Sequence, residues 1–122
     1  MTNKLNANFG ISKEGHYYIG FMNETQARRI PFENLISGVI MLVKAKKNFV
    51  EESRIIEEVR SEAFITAKTS RIAIGHDEKG NLMIVEVDGW ATALNKVGIG
   101  LKDLADLMIK FGAVNAINLG KK

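Results

Sequence analysis

The sequence predicts an α+β domain in which antiparallel hairpins form a sheet and a C-terminal helix packs against that sheet. Three observations lead to this prediction. Apolar and β-branched runs alternate with charged or glycine-containing turns, which is the pattern of β-hairpins. One strongly amphipathic segment, residues 101–111, has the spacing of a helix, and an apolar run over residues 113–119 follows it as a final strand. Hairpins combined with a helix in this order are typical of the α+β class.

The composition is that of one globular domain. The chain has 122 residues, of which 46% are hydrophobic and 25% charged, and its net charge is +3. The densest basic cluster, Lys44, Lys46 and Lys47, is followed by Glu51 and Glu52, so we interpret it as a solvated turn. No motif for reading a nucleic-acid groove or stacking on bases accompanies it. We therefore expect no nucleic-acid partner.

Three stretches predict hairpins. "NFGISKEGHYYIGFM" forms two strands around the turn 13–15, and "LISGVIMLVKAKKNFV" forms two strands around a basic turn. "RIAIGHDEKGNLMIVEVDG" is the clearest case, with β-branched arms on either side of the turn 77–80. Glycine after charged residues suits the positive φ that such turns require.

Two segments are predicted to be helical. In residues 101–111, apolar side chains recur at positions 101, 104, 105 and 108, and Gly112 provides a C-terminal stop. A second helix is predicted over residues 51–62, where Ile55, Ile56 and Val59 would be buried.

The start and the end of the clearest hairpin carry opposite charges. Arg71 opens the first arm, and Asp88 with Gly89 closes the second. In an antiparallel pair joined by a short turn, these ends are neighbours. They form either a surface ion pair, which contributes little stability, or an anion-binding arginine beside a catalytic carboxylate. A second unusual pair, Ser37 and Gly38, interrupts an apolar strand and indicates a bulge or the close approach of a ligand.

Neither a metal site nor a cofactor site is predicted. The two histidines, His16 and His76, have no metal-ligand spacing, there is no cysteine, and no phosphate-binding or dinucleotide fingerprint occurs. The longest apolar stretch, Val39–Val43, is too short to span a membrane. As written, the chain is expected to be soluble. A Golgi or extracellular location would require a signal preceding residue 1.

Four ordered segments allow a more specific hypothesis. They are "NANFGISKEGHYYIGFMNE", "ENLISGVIMLVKAKKNFVEES", "SRIAIGHDEKGNLMIVEVDG" and "GIGLKDLADLMIKFGAVNAINL". In order and character they resemble the phosphodiester glycosidase domain family, and the resemblance covers nearly the whole chain. We therefore treat residues 1–122 as a single, partial domain of this type.

The resemblance implies a hydrolase. Members of the family cleave the bond between N-acetylglucosamine and phosphate and thereby uncover mannose 6-phosphate, so the expected partner is a glycan phosphodiester. Arg71 and Asp88 are the candidate catalytic residues. The arginine would grip the phosphate, and the carboxylate would face the positive charge that develops on the sugar. Ser37, Gly38, Gly89 and Asn118 are the candidate substrate-binding residues.

The sequence also departs from the family pattern. Ile72 stands where the family has threonine or serine, and Gly120-Lys121-Lys122 follows Leu119 where the family continues with an aspartate and a run of glycines. These departures lead us to expect a domain cut at both ends, in which the activity is in doubt. The alternative is a non-catalytic sugar-phosphate binding or interaction module. A last strand ending at Leu119 is expected to leave an exposed sheet edge and to cause self-association.

Overall fold

The computed structural model describes residues 5–29, 32–91 and 96–119, which form an α+β domain as the sequence predicts. The strands are β1 Asn6–Ser12, β2 Tyr17–Met22, β3 Phe32–Gly38, β4 Met41–Lys44, β5 Lys47–Asn48, β6 Arg71–His76, β7 Leu82–Val87, β8 Trp90–Ala91, β9 Lys96–Val97 and β10 Asn115–Asn118. The helices are α1 Glu24–Arg29, α2 Val50–Ile56, α3 Glu62–Thr66 and α4 Leu101–Lys110.

The strands form two main antiparallel sheets and one short hairpin. Sheet A has three strands in the order β2-β1-β3, and sheet B has five in the order β5-β4-β10-β6-β7. Strands β8 and β9 pair with each other. The last strand, β10, therefore lies at the centre of sheet B, and the outer strands of this sheet are β5 and β7.

Sheet B lies between two apolar layers. One face packs against sheet A through a small cluster of buried side chains: Ala7, Phe9, Met41, Ile74 and Ile117. The other face packs against the helices through a larger cluster that includes Ile40, Leu42, Val43, Val50, Ile65, Leu101, Leu104, Ala105, Met108 and Ala116. Each fully buried Leu, Ile or Met contributes about 1.5–3 kcal/mol, so the helix side carries most of the hydrophobic stabilisation.

The predicted hairpins are present. Strands β1 and β2 are joined through Gly15 at φ +84°, and β6 and β7 through Gly80 at φ +82°. Strands β4 and β5 are joined at Ala45 and Lys46, which also have positive φ values. The apolar stretch before them is not one strand, because the chain leaves β3 after Gly38 and passes from sheet A to sheet B at Val39 and Ile40.

Helix α4 confirms the predicted C-terminal helix. It spans Leu101–Lys110, one residue shorter than predicted, and Phe111 is its C-cap. Its buried side chains are those that the sequence periodicity selected: Leu101, Leu104, Ala105 and Met108. Gly112 follows at φ +99°, a conformation that favours glycine at a helix end.

The prediction of one helix over residues 51–62 is wrong. Helix α2 ends at Ile56, and α3 begins only at Glu62. The end of α2 is a Schellman motif, in which Val59 N donates to Arg54 O and Glu58 N donates to Ile55 O, with Glu58 at φ +56°. The predicted buried face is also wrong in part: Val59 is buried, but Ile55 and Ile56 are exposed. The buried side of this segment is formed instead by Val50 and Ser53 of α2 and by its C-cap residue, Glu57.

Helix α1 was not predicted. It is short and begins with a reciprocal cap, in which Gln26 N donates to Asn23 Oδ1 and Asn23 N donates to Gln26 Oε1. The asparagine and glutamine three residues apart are a local capping signal. Among the described residues, no helix has both the length and the apolar character needed to cross a bilayer.

Candidate functional site

Four of the six candidate site residues, Arg71, Asp88, Gly89 and Asn118, lie at one end of sheet B, whereas Ser37 and Gly38 end strand β3 of sheet A. At this end β6 begins with Arg71, β7 ends with Val87, and β10 ends with Asn118. Arg71 pairs with Val87, so the predicted proximity of Arg71 to Asp88 is consistent with the register of the hairpin. Asp88 is exposed and accepts no hydrogen bond from any residue that the structure describes.

Gly89 allows the chain after β7 to pass close to the segment that precedes β6. A Cβ atom at Gly89 would lie 2.2 Å from Ser70 N and 2.4 Å from Thr69 C. Both atoms belong to the backbone, so neither can move aside as a flexible side chain would. Glycine is therefore required for this packing, and it fixes where Asp88 leaves the sheet.

Arg71 is buried, with 4% of its surface exposed. Its Nε donates to Ile99 O at 3.2 Å, and its Nη2 donates to Phe64 O at 2.8 Å and to Ala67 O at 3.0 Å. The guanidinium also lies 5.3 Å from the centre of the Phe64 ring. The side chain thus ties the end of α3 to the segment that precedes α4.

The charge of Arg71 has neutral partners. Desolvation by burial lowers the pKa of Arg71, yet a guanidinium remains protonated at neutral pH. Within the described ranges no carboxylate forms an ion pair with it at 4.0 Å or less. A buried cation that is hydrogen-bonded only to carbonyls favours an anion in its vicinity.

Gly38 and Asn118 meet where the chain crosses from sheet A to sheet B. A Cβ atom at Gly38 would lie 2.1 Å from Asn118 O. Val39 N donates to that same oxygen at 3.1 Å, and Asn118 Nδ2 donates to Val39 O at 3.0 Å. The close approach that the glycine indicated in the sequence is therefore to the backbone of β10.

Asn118 is fully buried, and its Oδ1 is a buried oxygen without a hydrogen-bond donor among the described residues. The bond from Nδ2 to Val39 O fixes the orientation of the amide and leaves Oδ1 as the free acceptor. A buried acceptor without a partner costs about 1–3 kcal/mol. Such an atom is a candidate for interaction with a ligand.

Ser37 lies beside a polar residue that sequence reasoning missed. Its Oγ donates to Asn8 Oδ1 at 2.6 Å, and Asn8 Nδ2 donates to Asn6 O at 2.8 Å. Asn8 is 98% buried, since only 2% of it is exposed. The signal in the sequence was an asparagine within an apolar strand, and β1 pairs this Asn8 with Ser37 of β3.

The parts of the site around Arg71 and around Asn118 are neighbours, because β6 carries Arg71 and pairs with β10, which carries Asn118. Asn118 pairs with Ala73, and Leu119 N donates to Ile72 O at 2.8 Å. Ala73 and Arg71 are two residues apart, so their side chains lie on the same face of the strand, about 7 Å apart along it. Arg71 and Asn118 therefore belong to one end of one sheet face.

A large open groove lies at the opposite end of sheet B. It has a volume of about 760 Å³ and is lined by residues that include Tyr17, His76, Glu78 and Asn115. His76 stacks on Tyr17 with ring centres 5.2 Å apart. Its Nδ1 faces Asp77 O, and its Nε2 faces the Asn115 amide nitrogen, so both ring nitrogens are used within the fold. This groove is therefore distinct from the predicted site, which has the buried charge of Arg71 and the unsatisfied Oδ1 of Asn118.

Comparison with known proteins assigns the chain to a class of glycosidases. The sequence matches the family model described as "Phosphodiester glycosidase" over residues 2–120. The chain therefore belongs to the phosphodiester glycosidase family, as its sequence motifs predict. Two curated relatives are the N-acetylglucosamine-1-phosphodiester α-N-acetylglucosaminidases of Bos taurus, 35% identical, and Homo sapiens, 34% identical. Each comparison covers 93% of this chain and 23% of the relative.

Solved structures agree with this assignment. The catalytic domain of the zebrafish N-acetylglucosamine-1-phosphodiester α-N-acetylglucosaminidase, auto-inhibited by its pro-peptide, matches with a TM-score of 0.83 and 31% identity. That match covers 95% of this chain and 39% of the zebrafish chain. A hypothetical protein from Synechocystis matches with a TM-score of 0.59 at 19% identity, a similarity of fold alone. Compared with its relatives, the chain spans well under half of their length.

Proposed function

We propose that this chain carries the catalytic end of a phosphodiester glycosidase. The proposed reaction is hydrolysis of the bond between N-acetylglucosamine and phosphate in a sugar phosphodiester, which uncovers mannose 6-phosphate. The observation that carries the proposal is the register that pairs the buried Arg71 with Val87, so that the exposed carboxylate of Asp88 follows at the same end of sheet B. The relatives named for this reaction add support.

The charges of Arg71 and Asp88 complement the charges that develop on the phosphate and the sugar during the reaction. Water adds its oxygen to the anomeric carbon, the bond from that carbon to the phosphate oxygen breaks, and the bonding electrons leave with the phosphate. The proton released by water passes to the solvent. Asp88 faces the positive charge that develops on the sugar, and Arg71 stabilises the negative charge on the phosphate. A phosphate leaving group requires little protonation, so one carboxylate serves the main electrostatic need.

The remaining candidate residues are proposed to line the substrate pocket. Gly38 and Gly89 keep the backbone close at two crossings where no Cβ fits. Ser37 offers a hydroxyl at the end of β3, and Asn118 offers the unsatisfied Oδ1 as an acceptor. We propose that hydroxyl or amide donors of the sugar satisfy this oxygen.

The test is release of N-acetylglucosamine from an α-N-acetylglucosamine-1-phosphomannose substrate by the 122-residue chain. The wild type is expected to release the sugar, and Asp88→Asn is expected to lower kcat by about 100-fold or more, the loss that follows removal of an electrostatic catalyst. Glu86→Gln is the matched control, because Glu86 is an exposed carboxylate two residues earlier. Its activity should stay within about twofold of the wild type.

Absence of turnover by a folded wild-type chain would refute hydrolysis by this chain. A rise in Tm on adding the same substrate would then identify a non-catalytic binding module, because a ligand that binds only the folded state raises its stability. Equal activity of wild type and Asp88→Asn would refute the role of Asp88 instead.

We also propose that the chain self-associates through a sheet edge. Strand β10 is paired on both sides, by β4 and β6, so the last strand is not itself an edge, and the outer strands of sheet B are β5 and β7. Among the described residues, nothing pairs with the outer side of β7. Exposed edges of this kind favour pairing between chains.

A further inference from the structure

A buried carboxylate outside the site described above connects three parts of the fold. Glu57 is 1% exposed. Its Oε1 accepts a hydrogen bond from Ala7 N at 3.1 Å, and its Oε2 accepts from Ile40 N at 2.8 Å and from Ser53 Oγ at 2.7 Å. A carboxylate is costly to bury unless its oxygens are hydrogen-bonded. These bonds join β1, the crossing from sheet A to sheet B, and α2.

The end of α2 aims Glu57 inward. Glu57 is the C-cap residue, and Glu58 at φ +56° reverses the chain after it. Glu57 N remains bonded to Ser53 O at 2.9 Å, so the backbone of Glu57 is fixed by the last turn of the helix. Ser53 also accepts from Met41 N through its Oγ at 2.7 Å. Ser53 and Glu57 therefore hold two consecutive backbone amides, those of Ile40 and Met41.

The amide held by Glu57 belongs to a strained residue. Ile40 has φ +79°, a conformation that β-branched residues rarely adopt. Such backbone strain persists only where the surroundings hold it, and it is concentrated at functional sites. Here Glu57 holds the N–H of Ile40, and Asn118 N donates to Ile40 O at 3.0 Å.

The strained residue in turn fixes Asn118. The turn 38–40 contacts Asn118 at each of its residues: Gly38 touches its carbonyl, Val39 bonds its carbonyl and its side chain, and Ile40 bonds its N–H. Ile40 N donates to Glu57 Oε2, and Asn118 N donates to Ile40 O. Glu57 therefore acts on Asn118 through the backbone of the turn 38–40.

We infer that Glu57 is a positioning residue, which holds the turn 38–40 against Asn118 and so fixes the acceptor Oδ1 at the proposed substrate pocket. The part of this inference that concerns substrate rests on the proposed function. The part that concerns the turn is independent of any activity.

The first experiment measures amide hydrogen exchange in the free chain. Glu57→Gln keeps the size of the side chain but replaces one acceptor oxygen with a donor. Protection of the Ile40 and Asn118 amides should fall by about tenfold or more, as expected for loss of a hydrogen bond to a charged group. Glu58→Gln, the same change in the neighbouring exposed residue, should leave both amides as protected as in the wild type. Ser53→Ala, a milder change, should lower the protection of Met41 and, to a smaller extent, Ile40.

The second experiment is kinetic, with the phosphomannose substrate described above. Glu57→Gln should raise KM by about tenfold and leave kcat within about twofold, because Asn118 contacts the substrate before and during reaction while Asp88 is unchanged. The effects of Glu57→Gln and Asn118→Ala should not add in the double variant, since both act on the same oxygen.

The two experiments separate the possible failures. Unchanged protection of Ile40 and Asn118 in a folded Glu57→Gln chain would overturn the inference, whatever the activity. Additive kinetic effects of Glu57→Gln and Asn118→Ala would also overturn it. If the wild type has no turnover, the proposed function fails, and hydrogen exchange alone supports or overturns the positioning of the turn.

Discussion

Arg71 combines a full positive charge with an almost complete loss of solvent contact. Phe64, Ala67 and Ile99 supply its hydrogen-bond acceptors, all of them backbone carbonyls. Carbonyls carry partial charges only, so they satisfy the donors of the guanidinium without neutralising it. The side chain also braces the segments around it. The proposed binding of an anion is compatible with this bracing, because the bracing sets the position of the charge.

Arg71→Lys should remove hydrogen bonds that brace the neighbouring segments while it keeps the positive charge. A lysine keeps the charge but lacks the planar fork that reaches several carbonyls at once. We expect a loss of about 2–4 kcal/mol in the free energy of unfolding, measured with urea, since hydrogen bonds from a charged donor contribute about 1.5–3 kcal/mol each and are not additive. Arg60→Lys, at an exposed position, is the control and should change stability by less than about 0.5 kcal/mol. A loss as small as that for Arg71→Lys would contradict the bracing role.

The neighbourhood of Arg71 and Asp88 was predictable, but the direction of the arginine was not. Their proximity follows from the register of one local hairpin, which the turn 77–80 sets. The carbonyls that accept from Arg71 belong to α3, to the residue after it and to the segment before α4. Ile99 lies 28 residues away in sequence, and no local pattern links it to Arg71. Asn8 was missed for a similar reason, because its partner Ser37 belongs to another strand.

At the scale of secondary-structure elements, the turn between β6 and β7 depends on an ionised carboxylate. Asp77 accepts from Lys79 N, Asn81 N and Asn81 Nδ2. These hydrogen bonds, led by that from the Asn81 side chain, lower the pKa of Asp77. A folded-state pKa below the unfolded value stabilises the fold above the unfolded value, about pH 4, and this stability is lost as the pH falls through the folded-state pKa.

Asp77→Ala should therefore have a pH-dependent effect on Tm. The variant should melt below the wild type at pH 7, and the difference should shrink as the pH falls below about 4, where the wild-type carboxylate also loses its charge. Thermal melts followed by circular dichroism across this range test the expectation. Asp88→Asn is the control, because it removes a carboxylate that accepts no hydrogen bond from the described residues. A Tm difference for Asp77→Ala that is constant with pH would contradict the role of the ionised form.

Elements defined by local residues were predicted well, and elements defined by distant partners were not. The hairpins follow from turn glycines such as Gly15 and Gly80, and α4 follows from its own periodicity. The break after α2 depends on Glu57, whose partners Ala7 and Ile40 are 50 and 17 residues away. The apolar Ile55 and Ile56 misled the helix prediction, since two isoleucines at an exposed helix end cannot be told by composition from part of a buried face.

At the scale of the whole molecule, the outer strands of sheet B differ in how they are protected. Strand β5 has two residues, one of them charged, and so offers a short edge. Strand β7 has six residues, with no proline, lysine or bulge. Its exposed side chains Leu82 and Ile84 continue an apolar surface that includes Ile72 of β6. Natural sheets usually protect such an edge with charge, proline or a covering element.

The hydrogen-bond pattern identifies which groups of β7 point outward. Val114 N and Leu119 N donate to His76 O and Ile72 O, so the even-numbered residues of β6 face β10. The odd-numbered residues of β6 therefore face β7, in line with the bond from Asp77 N to Asn81 O. On β7 their partners are Met83, Val85 and Val87. The N–H and C=O groups of the alternate residues, Leu82, Ile84 and Glu86, are left at the outer edge.

This edge can pair with a second copy of itself in an antiparallel register centred on Ile84. Such a register places the two isoleucines opposite each other and Leu82 opposite Glu86, which keeps the two glutamates apart.

We expect the wild-type chain to associate with rising concentration in analytical ultracentrifugation. Ile84→Lys should abolish this association, because it brings two like charges together at the centre of the pair. Ile55→Lys is the matched control: Ile55 is also an exposed isoleucine, on α2 away from this edge, and its variant should associate as the wild type does. A wild-type chain that stays monomeric from micromolar to millimolar concentration would contradict pairing at β7. Equal association of the Ile84→Lys and Ile55→Lys variants would place the contact elsewhere.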